Sequence, residues 1–216
     1  MKLTIVYDNE IYNKEASVEK DWGFSCLIET RDDTLLFDTG AKGRVLLNNM
    51  NELGIDPGRI NKIVISHEHQ DHSGGLVALA SVVEDAELYR LGRETPGETI
   101  KLTTVKKPQK ITTTVWTTGR LKGSPVDEQS LVLNGKNGWY VLAGCSHPGV
   151  KQIVDASRKI GKVVGLLGGL HDFDEFSLLE DLDFVGPAHC TKHKKKIYEL
   201  FPKISSACGV GKIIEI

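Results

Sequence analysis

Three imidazoles and a carboxylate fall within six residues of this chain, in the run His67-Glu68-His69-Gln70-Asp71-His72. Imidazole nitrogen and carboxylate oxygen together suit zinc, and also iron or manganese. Spacing divides the run in two. His67 and His69 are two apart, so on an extended backbone they project to the same side. Asp71 and His72 follow where the chain begins to turn, and they face a different point. So short a loop does not easily wrap all four donors round one ion. Two adjacent ions can take two donors each, provided other segments supply the rest. The pattern is far more specific than a single histidine or a His-x-x-x-His pair.

The elements that must hold these donors are legible on either side. Residues 62–65 read as a short buried strand, and residues 76–83 carry apolar periodicity that reads as a helix. The donors therefore sit on a strand-to-helix turn. Of the seven histidines, three more end apolar strand-like runs. The strand-like residues 139–143 lead through Gly144 into Cys145-Ser146-His147, residues 163–170 into His171, and residues 184–188 into His189. Ends of buried strands are where ligands gather in layered α/β folds. Glycines beside each histidine allow close backbone approach. His193 lies in a lysine-rich helical stretch and reads as solvated.

Further strands are expected at 3–7, 24–29, 34–37, 87–91, 111–116, 130–133 and 212–216. Further helices are expected at 44–53, 149–160, 176–182 and 191–201. Each half of the chain thus reads as strands followed by alternating helix and strand, one plan made twice. Two sheets with helices outside fit that plan. No Pro/Gly/Ser linker divides the chain, so one domain over 1–216 is expected, with an active-site loop or insertion around 92–110.

A formal net charge of −2 gives no electrostatic argument for nucleic acid or an anionic membrane as partner. The longest apolar stretch, 163–170, is far too short to span a bilayer. The N-terminus reads as a first strand rather than a signal peptide. Cys26, Cys145, Cys190 and Cys208 are widely scattered, which favours a reducing cytoplasm over a disulfide framework.

His67, His69, Asp71 and His72, with the earlier Leu35-Leu36-Phe37-Asp38-Thr39-Gly40, resemble the metallo-β-lactamase superfamily. The similarity runs from the first strand to the closing Gly209-Val210-Gly211-Lys212-Ile213-Ile214. Gly144-Cys145-Ser146-His147-Pro148-Gly149, Gly168-Gly169-Leu170-His171 and Pro187-Ala188-His189-Cys190-Thr191 resemble one branch of it. That branch is labelled 7,8-dihydropterin-6-methyl-4-(β-D-ribofuranosyl)aminobenzene-5′-phosphate synthase-like. The resemblance implies an α/β fold, an αβ/βα sandwich of two mixed β-sheets flanked by helices. It also implies two divalent metal ions, zinc first, with iron or manganese as the other choices. By position, His67, His69 and His147 would hold one ion, and Asp71, His72 and His189 the other. Asp38 would orient a ligand imidazole through a hydrogen bond. The chain departs from the superfamily pattern in two places. The usual Pro-Gly-His is absent after Trp116-Thr117-Thr118-Gly119, and so is the Gly-Asp whose carboxylate normally bridges the metals. Cys145 and His171 are the residues positioned to substitute, His171 as ligand or as substrate contact.

The expected activity is hydrolysis of a small anionic or phosphorylated substrate, pterin-related if the branch is a guide. Hydroxide made at the metals would attack a carbonyl or phosphorus centre. Asp71 would also hold or receive the proton of that water. Two other readings stay open. One is a di-iron redox protein fed by a separate electron-donor partner, in which Glu68 between the histidines matters. The other is a non-catalytic metal-bearing sensor or binding module.

Overall fold

The computed structural model describes residues 1–97 and 100–216. The chain forms two compact units, one of residues 1–105 with 209–215, the other of residues 106–208 with Ile216.

In the first unit, β1 (Lys2–Tyr7), β2 (Ser25–Glu29) and β3 (Thr34–Phe37) make an antiparallel meander. Beyond β3 the sheet continues in parallel through β4 (Lys62–Val64), β5 (Glu87–Arg90) and β6 (Lys101–Thr104). The last strand of the chain, Ile213–Glu215, pairs antiparallel with the free edge of β1. Five of the six residues of β1 are buried, without alternation, as expected of a strand covered on both faces. Helix α1 (Gly43–Glu52) buries Val45, Leu46, Asn49 and Met50, a single stripe of its surface. That stripe joins Leu36, Ile63, Leu79 and Leu88 in one apolar cluster. Asn49 is the polar member. Its amide donates to the carbonyls of Val6 (2.9 Å) and Glu19 (2.8 Å), and its oxygen accepts from the Glu19 N–H (2.7 Å). Every polar arm of a buried side chain is thus used. Between β4 and β5 the chain makes two short helices, α2 (Gln70–Ser73) and α3 (Leu76–Ala80).

The second unit repeats the strand logic. The short β7 (Gln109–Lys110), β8 (Val115–Thr117), β9 (Leu131–Asn134) and β10 (Trp139–Ala143) are successively antiparallel. Then β11 (Val163–Gly169) and β12 (Phe184–Ala188) add in parallel. Every residue of β11 is buried. Helix α4 (Val150–Arg158) buries Val150, Ile153 and Val154 against Val141, Leu166 and Val185. Helix α5 (Lys194–Leu200) adds Ile197 to the same cluster. Both sheets are mixed and flanked by helices, as the sequence leads one to expect.

Several local expectations are corrected. The stretch expected as a loop around 92–110 contains β6 and β7; Glu98 and Thr99 within it lie outside the described residues. Ile100, Leu102 and Val105 anchor this polar segment, and Lys101 to Thr104 pair in register with β5. The strand expected over 111–116 begins only at Val115. Its β-branched residues suggest extension, but the Thr112 hydroxyl accepts from the N–H groups of Thr114 (3.2 Å) and Val115 (3.1 Å). A threonine that caps its own backbone makes a turn instead. The helix expected over 176–182 is a single 3₁₀ turn, Phe176–Leu179. Among the described residues, no helix is long and apolar enough to cross a membrane.

Candidate metal centre

Asp38 organises the donors of the first unit. It follows β3, is fully buried, and takes a left-handed backbone with φ 59°. One carboxylate oxygen accepts the Ser66 N–H at 2.7 Å. The other accepts the Ser66 hydroxyl at 2.8 Å and lies 2.7 Å from Nδ1 of His72. A carboxylate only accepts, so His72 carries its proton on Nδ1 and its lone pair on Nε2. The same reasoning extends one residue further. The Ser66 hydroxyl has one proton, which goes to Asp38. Its oxygen, 2.8 Å from Nδ1 of His67, must then accept from that nitrogen. His67 is thereby also fixed with its lone pair on Nε2. This is the tautomer a metal ligand needs, set by the partner behind the ring.

The rings themselves are bundled. The His67 centroid lies 4.1 Å from that of His72 and 4.8 Å from that of His69. Asp71 reaches to 3.6 Å from Nε2 of His72. Backbone contacts brace the turn. Thr39 N–H and hydroxyl both donate to the His72 carbonyl (2.7 and 3.0 Å), and Phe24 N–H donates to that of Asp71 (3.2 Å). The approach of Phe24 requires Gly23, whose φ is +145° and where a Cβ would stand 2.5 Å from the Asp71 carbonyl oxygen. Glu68 is engaged elsewhere. Both its oxygens meet the Arg90 guanidinium, and one accepts the Gly92 N–H at 3.0 Å.

In the second unit the organiser is Glu128, also fully buried. One of its oxygens accepts the N–H groups of Gly144 (3.0 Å), Cys145 (3.0 Å) and Ser146 (3.2 Å), and the other accepts that of His147 (2.8 Å). Consecutive amides converging on one carboxylate fix the path of the whole loop after β10. Neighbouring Asp127 ties down the approach, bonded to Lys122 (3.0 Å) and Arg120 (3.2 Å). The Lys122 hydrogen bond holds the Asp127 carboxyl below the ordinary carboxylate range. Ser146 donates its hydroxyl to the Gly169 carbonyl at 2.8 Å, a structural bond. The His147 ring lies against that of His171, centroids 5.2 Å apart. His171 is about half exposed and has Asp172 at 3.8 Å. His189 is buried at the end of β12. Thr191 links the loops after β11 and β12, accepting from Leu170 N–H (3.0 Å) and donating to the Ala188 carbonyl (2.7 Å).

Backbone strain concentrates at these positions. Among the described residues, the non-glycine residues in the left-handed region are Asp38, Asp85, Ser146, His171 and His189. All but Asp85 belong to the loops just described. Such conformations persist only where surrounding contacts impose them, and they cluster at functional sites.

The first unit offers His67, His69, Asp71 and His72, and the second offers Cys145, His147 and His189, as donors with the chemistry to hold divalent ions, whereas His171 is not among the grouped donors. The sequence gives no warning of Glu128 or of Ser66. A lone carboxylate before a strand looks like any solvated one, and its role appears only when the amides it receives are in place.

The family model described as Metallo-beta-lactamase superfamily matches residues 23–186. Among curated proteins, the chain is 26% identical to a 7,8-dihydropterin-6-methyl-4-(β-D-ribofuranosyl)-aminobenzene-5′-phosphate synthase of Methanocaldococcus jannaschii, covering 89% of each chain. It is 28% identical to an uncharacterized protein of the same organism, over 99% of this chain and 100% of the relative. A solved structure described as a metal-dependent hydrolase of the β-lactamase superfamily aligns with a TM-score of 0.78 at 23% identity. That alignment covers 100% of this chain and 99% of the other.

Proposed function

The chain belongs to the metallo-β-lactamase superfamily, and on that premise we propose that it is a metal-dependent hydrolase of a small, phosphate-bearing and pterin-related substrate. The observation that carries the reading is the pair of anchored imidazoles. His67 and His72 each have Nδ1 committed through the Asp38–Ser66 network, which leaves Nε2 of each in the form that binds a metal. In this reading His67, His69 and His147 hold one divalent ion, and Asp71, His72, Cys145 and His189 hold the second. A set of imidazole, carboxylate and thiolate suits zinc. Ions bound there would bring the pKa of water toward neutrality and offset charge on the attacked oxygen.

The chain's own residues do the rest. Asp71, partly exposed beside the His72 ring, orients the attacking water and takes up its proton. Cys145 stands where the superfamily pattern has a carboxylate, on a backbone fixed by Glu128. His171, half exposed and beside His147, is placed to donate a hydrogen bond to an anionic group of the substrate. The name of the Methanocaldococcus jannaschii relative contains both a dihydropterin and a 5′-phosphate, which supports this substrate class. Engagement of Glu68 by Arg90 and Gly92 favours hydrolysis over a di-iron redox role that recruits this carboxylate.

The test is to purify the protein anaerobically, quantify its metals, and assay the same sample against phosphate monoesters, phosphodiesters, thioesters and lactones. Turnover of a phosphate-bearing substrate, abolished by a chelator and restored by zinc, is the expected result. A fully metallated protein inert toward the whole panel would contradict the proposal.

A further inference from the structure

Cys145 and Cys190 belong to loops after β10 and β12, strands that β11 separates. Their sulfurs nevertheless lie 3.4 Å apart. They meet over Gly169 of β11, where a Cβ would stand 2.8 Å from the Cys190 sulfur and 2.3 Å from the Gly144 carbonyl oxygen. Both backbones are held. Glu128 accepts the Cys145 N–H at 3.0 Å, and Thr191 beside Cys190 bonds to Leu170 and Ala188. None of the four cysteines is in a disulfide. Cys26 and Cys208 are buried, as is Cys145, whereas Cys190 is half-buried and open to a small reagent.

We propose that Cys145 and Cys190 are a thiol pair that closes to a disulfide by exchange with a small-molecule disulfide. The Cys190 sulfur attacks one sulfur of the reagent, gives its proton to solvent, and releases the first small thiol. The Cys145 sulfur then attacks the Cys190 sulfur of the mixed disulfide, loses its proton and expels the second small thiol. The two cysteines together lose two electrons and two protons, and the reagent is reduced to two thiols. Closure needs the sulfurs to approach from 3.4 Å to about 2.05 Å, a movement within the reach of side-chain rotation. This exchange does not depend on the proposed function. Its consequence for that site does, because the closed form withdraws the Cys145 sulfur from its donor set.

The full chain, as purified and again after chelator treatment, is incubated with oxidised glutathione, alkylated and mapped by mass spectrometry. Alkylatable thiols are expected to fall from four to two, with a Cys145–Cys190 cross-linked peptide that a dithiol reductant reverses. Cys145→Ser is expected to accumulate a stable glutathione adduct on Cys190. A chain that keeps four alkylatable thiols in both states would overturn the proposal. So would a lasting adduct on wild-type Cys190, or cross-links to Cys26 or Cys208. Metal content is measured on the same samples, so a cross-link in a protein that binds no metal would refute the proposed function and leave this inference standing.

Discussion

The two units hold their donors by different physics. In the first, His67, His69, Asp71 and His72 share one turn, and the anchoring carboxylate of Asp38 reaches side chains, bonding His72 directly and His67 through Ser66. In the second, Cys145, His147, His171 and His189 come from the ends of three parallel-paired strands. There the anchoring carboxylate of Glu128 receives backbone, four successive N–H groups. One anchor sets ring tautomers, and the other sets the course of a loop. Disturbing the first should therefore alter ligand quality on an intact scaffold. Disturbing the second should alter the scaffold itself.

That contrast breaks most visibly at Glu128. Glu128→Ala would leave four amides without this acceptor, three of them buried, each buried one costing about 1–3 kcal/mol. It is expected to destabilise the protein by roughly 4 kcal/mol or more in denaturant titrations. Glu128→Gln keeps one acceptor oxygen and turns an NH₂ toward an N–H donor, so a loss of about 1–3 kcal/mol is expected. If both variants matched the wild-type midpoint, the loop would not depend on this carboxylate. Asp38→Asn tests the other anchor. Metal affinity is expected to fall about 10–100-fold, read by competition with a chromophoric chelator, with a smaller change in stability than Glu128→Ala. A large unfolding effect with unaltered affinity would erase the distinction between the anchors. Glu68→Gln is the smallest expected effect. Its exposed pairing with Arg90 is worth under about 1 kcal/mol, and metal stoichiometry should not change. Loss of a metal equivalent in Glu68→Gln would instead make Glu68 a ligand.

The same contrast explains what was legible in the sequence. A contiguous His-x-His-x-Asp-His run announces itself by spacing, and the apolar runs that became β10, β11 and β12 mark three strand ends without naming their partners. Glu128 is seventeen residues before Cys145, a separation that no local periodicity encodes. Polar edge strands are hidden for a related reason. β6 is built from a lysine, a leucine and two threonines, and its apolar anchors are Leu102 with the flanking Ile100 and Val105. The helix expected from Thr191 starts at Lys194 because the Thr191 side chain is committed across to Leu170 and Ala188. Where local pattern and tertiary contact agree, as in β3 and β10, the boundaries coincide with those read from sequence.

The most direct test of the central claim is metal stoichiometry, measured by elemental analysis on anaerobically purified wild-type protein and on His69→Ala. The account predicts two divalent ions per wild-type chain and the loss of at least one equivalent in a folded His69→Ala. An unchanged metal content in that variant, or a wild-type chain that binds none, would contradict it.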